Sequence, residues 1–114
     1  MKVINATPHP IVVSEESMYQ GIFRSKTYPV SDLVIRLEVE EFETEPLDGF
    51  TVMGTFPCGI ENLPPYHPDT MYIVSAIVLA AAKSLDREDC VAPNTKMAKR
   101  NRYGDIISVT GFVR

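Results

Sequence analysis

The stretch that decides the fold is Thr70-Met71-Tyr72-Ile73-Val74-Ser75-Ala76-Ile77-Val78-Leu79-Ala80-Ala81-Ala82-Lys83-Ser84-Leu85. One reading makes it a single helix capped by Asp69 or Thr70, with Met71, Val74, Val78, Ala81 and Leu85 inward. The preferred reading divides it. Met71-Tyr72-Ile73-Val74 is rich in β-branched and aromatic residues and predicts a strand. Ser75 then caps a helix over Ala76 to Leu85, where alanines and Lys83 favour helical backbone. That helix is apolar nearly all round, which predicts a central, buried position.

Upstream, Lys2 to Ala6 predicts a short strand. Thr7-Pro8-His9-Pro10 interrupts it, because each proline removes a backbone donor and holds the residue before it extended. Ile11 to Val13 predicts a second strand. Ser14 to Lys26 is polar, contains Gly21, and reads as a turn or exposed connection. Leu33 to Glu40 has the clearest period of two, with Leu33, Ile35, Leu37 and Val39 on one face and Arg36, Glu38 and Glu40 on the other. Phe42 breaks that phase after Glu41, which suggests a bulge there. Pro46-Leu47-Asp48-Gly49 is a turn signal, and Phe50 to Pro57 reads as the returning strand of a hairpin with a long connection. Glu61 to Asp69 is a proline-rich loop. Downstream, Asp86 to Asp89 is an exit loop and Cys90-Val91-Ala92 a short strand ending at Pro93. Asn94 to Asp105 fits a hairpin loop and Ile106 to Val113 a last strand. Many short strands and one helix predict a single α+β domain spanning residues 1–114, a mostly antiparallel sheet packed against one central buried helix.

The chain has 114 residues, 45% of them hydrophobic and 23% charged, which is ordinary globular composition for one domain. No apolar run approaches the roughly 20 residues of a membrane helix. Lys2 leads into a proline-rich segment rather than a signal-like apolar region, so a cytoplasmic protein is expected. Fifteen acids against eleven bases give a net charge of -4, the wrong sign for a general nucleic-acid binder. The charges are also segregated. Glu38, Glu40, Glu41, Glu43, Glu45 and Asp48 form an acidic stretch; Lys96, Lys99, Arg100 and Arg102 form a basic one. Each is either a solvated face or a docking patch for a charged partner. Cys58 and Cys90 lie far apart with no C-x-x-C spacing, and read as reduced, partly buried thiols.

Two blocks resemble a known family. Ile4-Asn5-Ala6-Thr7-Pro8-His9-Pro10-Ile11 resembles the start of a family of small phage and prophage proteins that begin with an Ile-Asn-x-Thr-Pro-His motif. Thr70-Met71-Tyr72-Ile73-Val74-Ser75, followed by Arg87, Asp89 and Pro93, resembles the second half of the same family. Together the blocks span about a third of the chain; the acidic middle and the basic loop match nothing in that family. The resemblance implies an accessory protein of a phage or mobile element, a setting in which host-takeover and anti-defence factors are common. It implies no particular chemistry.

Catalytic constellations are weak. His9 and His67 would need a third ligand such as Asp69 or Cys58 to hold a metal, and no metal or other cofactor is expected. Ser75 lacks the flanking glycines of a nucleophile elbow, so it reads as a helix cap. The start of its helix offers free N–H groups for an anion. Thr7, His9 and Arg87 could add donors there if the two blocks meet, making a pocket for a nucleotide-like ligand. The acidic strand points elsewhere. Glu38, Glu40 and, past a bulge, Glu43 would line one face about 7 Å apart, with Glu41 and Glu45 beside them, a row able to enter a positively charged nucleic-acid channel. The expected function is therefore a non-enzymatic, phage-type protein that binds and inhibits a host defence component, such as a CRISPR effector, by occlusion. The alternative is a protein that sequesters or cleaves a nucleotide-derived immune signal. A flat exposed strand would also permit a homodimer.

Overall fold

In a computed structural model, which describes residues 1–16 and 23–114, the dividing reading of the central stretch holds. Strand β6 is Thr70–Ile73, helix α1 is Ala76–Ser84, and strand β7 is Cys90–Pro93. Ser75 is the N-cap, its Oγ accepting from the Val78 N–H at 3.4 Å. The helix ends at Leu85. Asp86 takes a positive φ of 57°, the Asp86 N–H donates to the Lys83 carbonyl, and the Arg87 N–H donates to the Ala82 carbonyl. These paired bonds consume carbonyls that would otherwise be orphaned at the helix end.

β6 and β7 are parallel, joined by α1, and β1 (Lys2–Asn5) lies parallel on the other side of β6. β10 (Phe112–Val113) adds antiparallel to β7, giving the order β1-β6-β7-β10. Three hairpins complete the fold: β2 (Ile11–Glu16) with β3 (Phe23–Tyr28), β4 (Arg36–Glu43) with β5 (Met53–Glu61), and β8 (Lys99–Arg100) with β9 (Ile106–Ser108). Among the described residues, four of the six strand pairings are antiparallel. The fold is thus mixed α+β, with mostly antiparallel pairing and one short helix; the sheet that carries the helix is the largely parallel one.

The core lies between that sheet and α1. Tyr72, Val74, Cys90 and Ala92 from the sheet meet Val78, Leu79 and Ala82 from the helix, together with Ala6 and Ile35. The helix is not buried all round. Ile77 is 65% exposed and Leu85 59%, because nothing packs on the outer side of this nine-residue helix. Across the sheet, Val91 lines a groove with Val13, Tyr28 and Phe112, so the β2–β3 ribbon covers the far face. The ribbon is held there by backbone bonds from Ser14 to Val109 and from Val109 to Val12.

Several sequence expectations change. The strand expected over Leu33 to Glu40 runs over Arg36–Glu43, its return expected over Phe50 to Pro57 runs over Met53–Glu61, and the loop expected over Asn94 to Asp105 contains β8. Ser14 to Glu16 and Phe23 to Lys26 are strands rather than connection, because each finds a partner across the ribbon; Gly21 lies outside the described residues. The last strand is split into β9 and β10, since Val109 leaves the first pairing to bridge β2. The bulge of the acidic hairpin sits in β5, where Cys58 is the extra residue between Gly59 opposite Glu38 and Pro57 opposite Val39. β4 therefore alternates without a break.

The join between β1 and the ribbon is a buried polar knot. Asn5 Oδ1 accepts from the Thr7 N–H at 3.0 Å and lies 2.7 Å from the Thr7 hydroxyl. Its Nδ2 donates to the carbonyls of His9 at 2.7 Å and Tyr28 at 3.0 Å. One side chain thus folds the Thr7-Pro8-His9-Pro10 turn and ties it to β3. Replacing Asn5 by Ala leaves the buried Thr7 N–H and the partly buried His9 and Tyr28 carbonyls without this partner, so Asn5→Ala should cost about 1–3 kcal/mol, read as a lower denaturation midpoint in urea. An unchanged midpoint would show that the knot contributes no stability.

Candidate functional site

The β4–β5 hairpin projects from the rest of the chain. The principal extents are 60 × 39 × 24 Å and the radius of gyration is 17.4 Å, against about 13 Å for a compact chain of this length. Only its base is packed: Leu37 and Ile60 lean on the core beside α1. Beyond them, every residue from Glu38 to Thr51 is exposed. Asp48 and Gly49 take φ of 50° and 81°, and Leu47 and Phe50 exchange both backbone bonds at 3.0 and 2.8 Å. Two successive positive φ values make a type I′ turn, whose twist matches a hairpin. The Thr44 N–H and hydroxyl both donate to the Val52 carbonyl, so the ladder continues almost to the tip.

Regular alternation along β4 fixes which side chains share a face. Arg36, Glu38, Glu40 and Phe42 stand on one face. Leu37, Val39, Glu41 and Glu43 stand on the other. Glu43 thus joins Glu41 rather than Glu38 and Glu40, a correction that follows from the bulge lying in β5. Phe42 lies across Gly54, where a Cβ would come within 2.6 Å of its ring. It also meets Phe56 with ring centroids 6.0 Å apart. The tip presents Leu47, 69% exposed, and Phe50, 75% exposed. The arm therefore combines carboxylates on both faces with an aromatic edge and an apolar tip. Glu38, Glu40, Glu41, Glu43 and Glu45 are all exposed, and none forms an ion pair among the described residues.

The two familiar blocks do meet. Ile4 and Asn5 pair with Tyr72 and Ile73, and Thr7 and Ser75 line one groove of about 350 Å³ with Pro8, Val34, Ile77 and Val78. The groove is mostly apolar; its Thr7 and Ser75 side chains are already engaged, and the exposed Arg36 also borders it. The Thr7 hydroxyl is held by Asn5 Oδ1 and the His9 carbonyl, 2.7 and 2.9 Å away, and Ser75 caps the helix. His9 does not line this groove, and Arg87 borders a different cavity with Leu79, Lys83, Asp86, Glu88 and Cys90. Thr7, His9, Ser75 and Arg87 therefore do not converge on one ligand position.

Arg87 is committed elsewhere. Its Nε and Nη2 grip Asp89 at 3.0 and 2.7 Å, and Nη2 also reaches the Pro64 carbonyl at 2.8 Å. Asp89 is only 2% exposed, so this bidentate pair holds the helix exit against the proline-rich loop. The hydrogen bond to Asp89 raises the Arg87 pKa further above its ordinary value, against the cost of burial. Asn5 and Asp89 are the working residues that sequence reasoning passed over. Both lie inside the familiar blocks, and a buried-capable amide two residues before a Thr-Pro step was the available signal for Asn5. Among the described residues, no three His, Cys, Asp or Glu side chains come together to hold a metal; His67 Nδ1 accepts from the Asp69 N–H instead.

Cys90 is buried beside Asp89, and burial, reinforced by that carboxylate, pushes its thiol up to about 11. Cys58, on the arm, is exposed, contrary to the expectation of a partly buried thiol. At pH 8, Ellman's reagent should modify one thiol per native chain, and Cys58→Ser should leave none until denaturant is added. A raised thiol pKa keeps Cys90 protonated in the fold while the unfolded chain ionises, so its contribution to stability falls as pH rises from about 9 to 11. The melting temperature should drop less steeply over that window in Cys90→Ala than in the wild type; two rapidly reacting thiols, or equal slopes, would contradict the assignment.

No helix among the described residues is long and apolar enough to cross a membrane. Compared with known proteins, the chain matches no family model, no curated protein and no solved structure.

Proposed function

We propose that this protein is a non-enzymatic inhibitor that works by inserting the β4–β5 arm into a positively charged, nucleic-acid-binding channel of another protein. The observation that carries this reading is the arm itself: a projecting hairpin with seven carboxylates and one cation between Arg36 and Glu61 and an exposed Phe50 at its tip. A solvated hairpin of two strands is marginal when it has only its own contacts. Exposed Val39, Phe42, Leu47, Phe50, Met53 and Phe56 are a poor surface to leave in water, and are well suited to a partner.

The electrostatics favour a basic channel. Carboxylates alternate between the two faces, so a channel that surrounds the arm meets negative charge on both sides, much as it meets the phosphates of a nucleic acid. Low-dielectric walls strengthen such attraction and steer approach. The aromatic edge and apolar tip then slow dissociation, because buried aromatic anchors dominate interface energetics. In keeping with the resemblance of the two blocks to phage and prophage proteins, the partner is a host defence component in the cytoplasm, of the kind that an anti-CRISPR blocks. Occlusion needs no catalytic group, and Thr7 and Ser75 in their groove are spent on structure.

The test is competition. The purified chain should displace a fluorescent DNA or RNA duplex from a CRISPR effector or comparable immunity nuclease of the same host. The Glu38→Lys/Glu40→Lys/Glu43→Lys variant should weaken inhibition at least tenfold while leaving the circular dichroism spectrum unchanged, and Phe50→Ser should act mainly through faster dissociation. A triple charge-reversal variant that inhibits as well as the wild type would remove the acidic arm from the mechanism.

A further inference from the structure

The basic stretch that the proposed function leaves unused is also a hairpin with an exposed end. Between Thr95 and Asp105 it carries Lys96, Lys99, Arg100 and Arg102 against a single carboxylate, Asp105. Its end is well ordered by Asn101. Asn101 Oδ1 accepts from the N–H groups of Tyr103 and Asp105 at 2.9 and 3.1 Å, and Arg100 donates to the Gly104 carbonyl at 2.8 Å. Met97 and Tyr103 are each 73% exposed, and Ile106 and Ile107 are exposed beside them.

Neither charged hairpin is neutralised by an ion pair among the described residues. Among the described residues, the one ion pair is Arg87–Asp89, which involves neither hairpin. The acidic arm is anchored beside α1, through Leu37 and Ile60, while the basic hairpin is anchored on the ribbon through Val109. Two exposed surfaces of opposite charge, each bearing large apolar side chains, are thus held on different parts of one molecule.

We propose that they meet between copies. The acidic arm of one chain docks on the β8–β9 hairpin of a second, and the second chain's arm returns the contact, closing a two-fold dimer. Reciprocity matters, because an arm-to-hairpin contact that did not close would propagate into a filament. The inference shares the arm with the inhibitory reading and extends it: the dimer sequesters the arm until a more strongly basic partner displaces it. A nucleic acid is a poorer occupant of the basic hairpin. The chain as a whole carries a net charge of -4, and one side of the Tyr103 ring is already covered by the Arg102 guanidinium, 4.9 Å from its centroid.

Sedimentation velocity on the full chain tests this. At about 0.1 M salt the protein should sediment as a dimer. At about 1 M, where the Debye length falls from ~10 to ~3 Å, it should approach the 12.7 kDa monomer. The Lys99→Glu/Arg102→Glu variant and the Glu40→Lys/Glu43→Lys variant should each be monomeric at low salt. Mixed together, they should re-form a dimer, because each supplies the sign the other has lost. A wild type that is monomeric at every concentration, or a dimer that survives Lys99→Glu/Arg102→Glu, would overturn the proposal. So would nucleic acid that co-purifies with the wild type and is lost with that variant. The Lys99→Glu/Arg102→Glu variant keeps its arm, so it should still displace nucleic acid from the target. Failure of that competition by wild type and variant alike would count against the inhibitory reading and leave the dimer standing.

Discussion

Strand β1 lies parallel beside β6, with Lys2 opposite Thr70 and Asn5 opposite Ile73, and the rest of the molecule is arranged around that pairing. The two strands are separated by more than half the chain. Everything between them must leave the sheet and return to it. The β2–β3 ribbon does so by folding over the far face; the β4–β5 hairpin does so by running outward and back. Closing so long a loop costs entropy before any contact repays it, so the point of closure needs strong local fixing. The Asn5 amide supplies part of it, binding its own turn and the ribbon together in one buried knot.

A second fixing point lies at the other end of α1. The helix terminates in paired backbone bonds that aim Arg87 toward Asp89 and the Pro64 carbonyl. The two blocks with the most suggestive residues are therefore occupied in holding the sheet, its helix and the connecting loops in register. The Thr7 hydroxyl, Ser75 and Arg87 already have partners inside the fold. Exposed charge is concentrated outside it, on the two charged hairpins.

Those hairpins follow from the size of the core. One nine-residue helix and a four-stranded sheet of short strands cannot cover a chain with 45% hydrophobic residues. The excess apolar surface appears at Phe42, Leu47, Phe50, Met97 and Tyr103, each set among like charges. Charge keeps such edges soluble and discourages indiscriminate strand pairing. It also makes them selective, since only an oppositely charged surface can approach closely enough to bury the aromatic groups.

The local elements were legible in the sequence because local physics sets them. β-branched residues ahead of Ser75 and alanines after it place the strand, cap and helix within a residue or two. The alternation through Leu33 to Glu40 and the Asp48-Gly49 turn point to a hairpin, though its strands run over Arg36–Glu43 and Met53–Glu61 rather than over the expected stretches, and the proline spacing around His9 defines an interruption. Tertiary structure decided the rest. Parallel pairing of β1 with β6 depends on contacts across more than sixty positions, to which no local pattern is sensitive. The partner strand holds the bulge at Cys58, so β4 alone could not show on which face Glu43 stands. The helix is half-exposed because its outer face has no covering layer, a fact about neighbours rather than about the residues of the helix. Arg87 found Asp89 and Pro64 instead of the Thr7–Ser75 groove because the helix exit turns it the other way, and only the assembled chain fixes that direction.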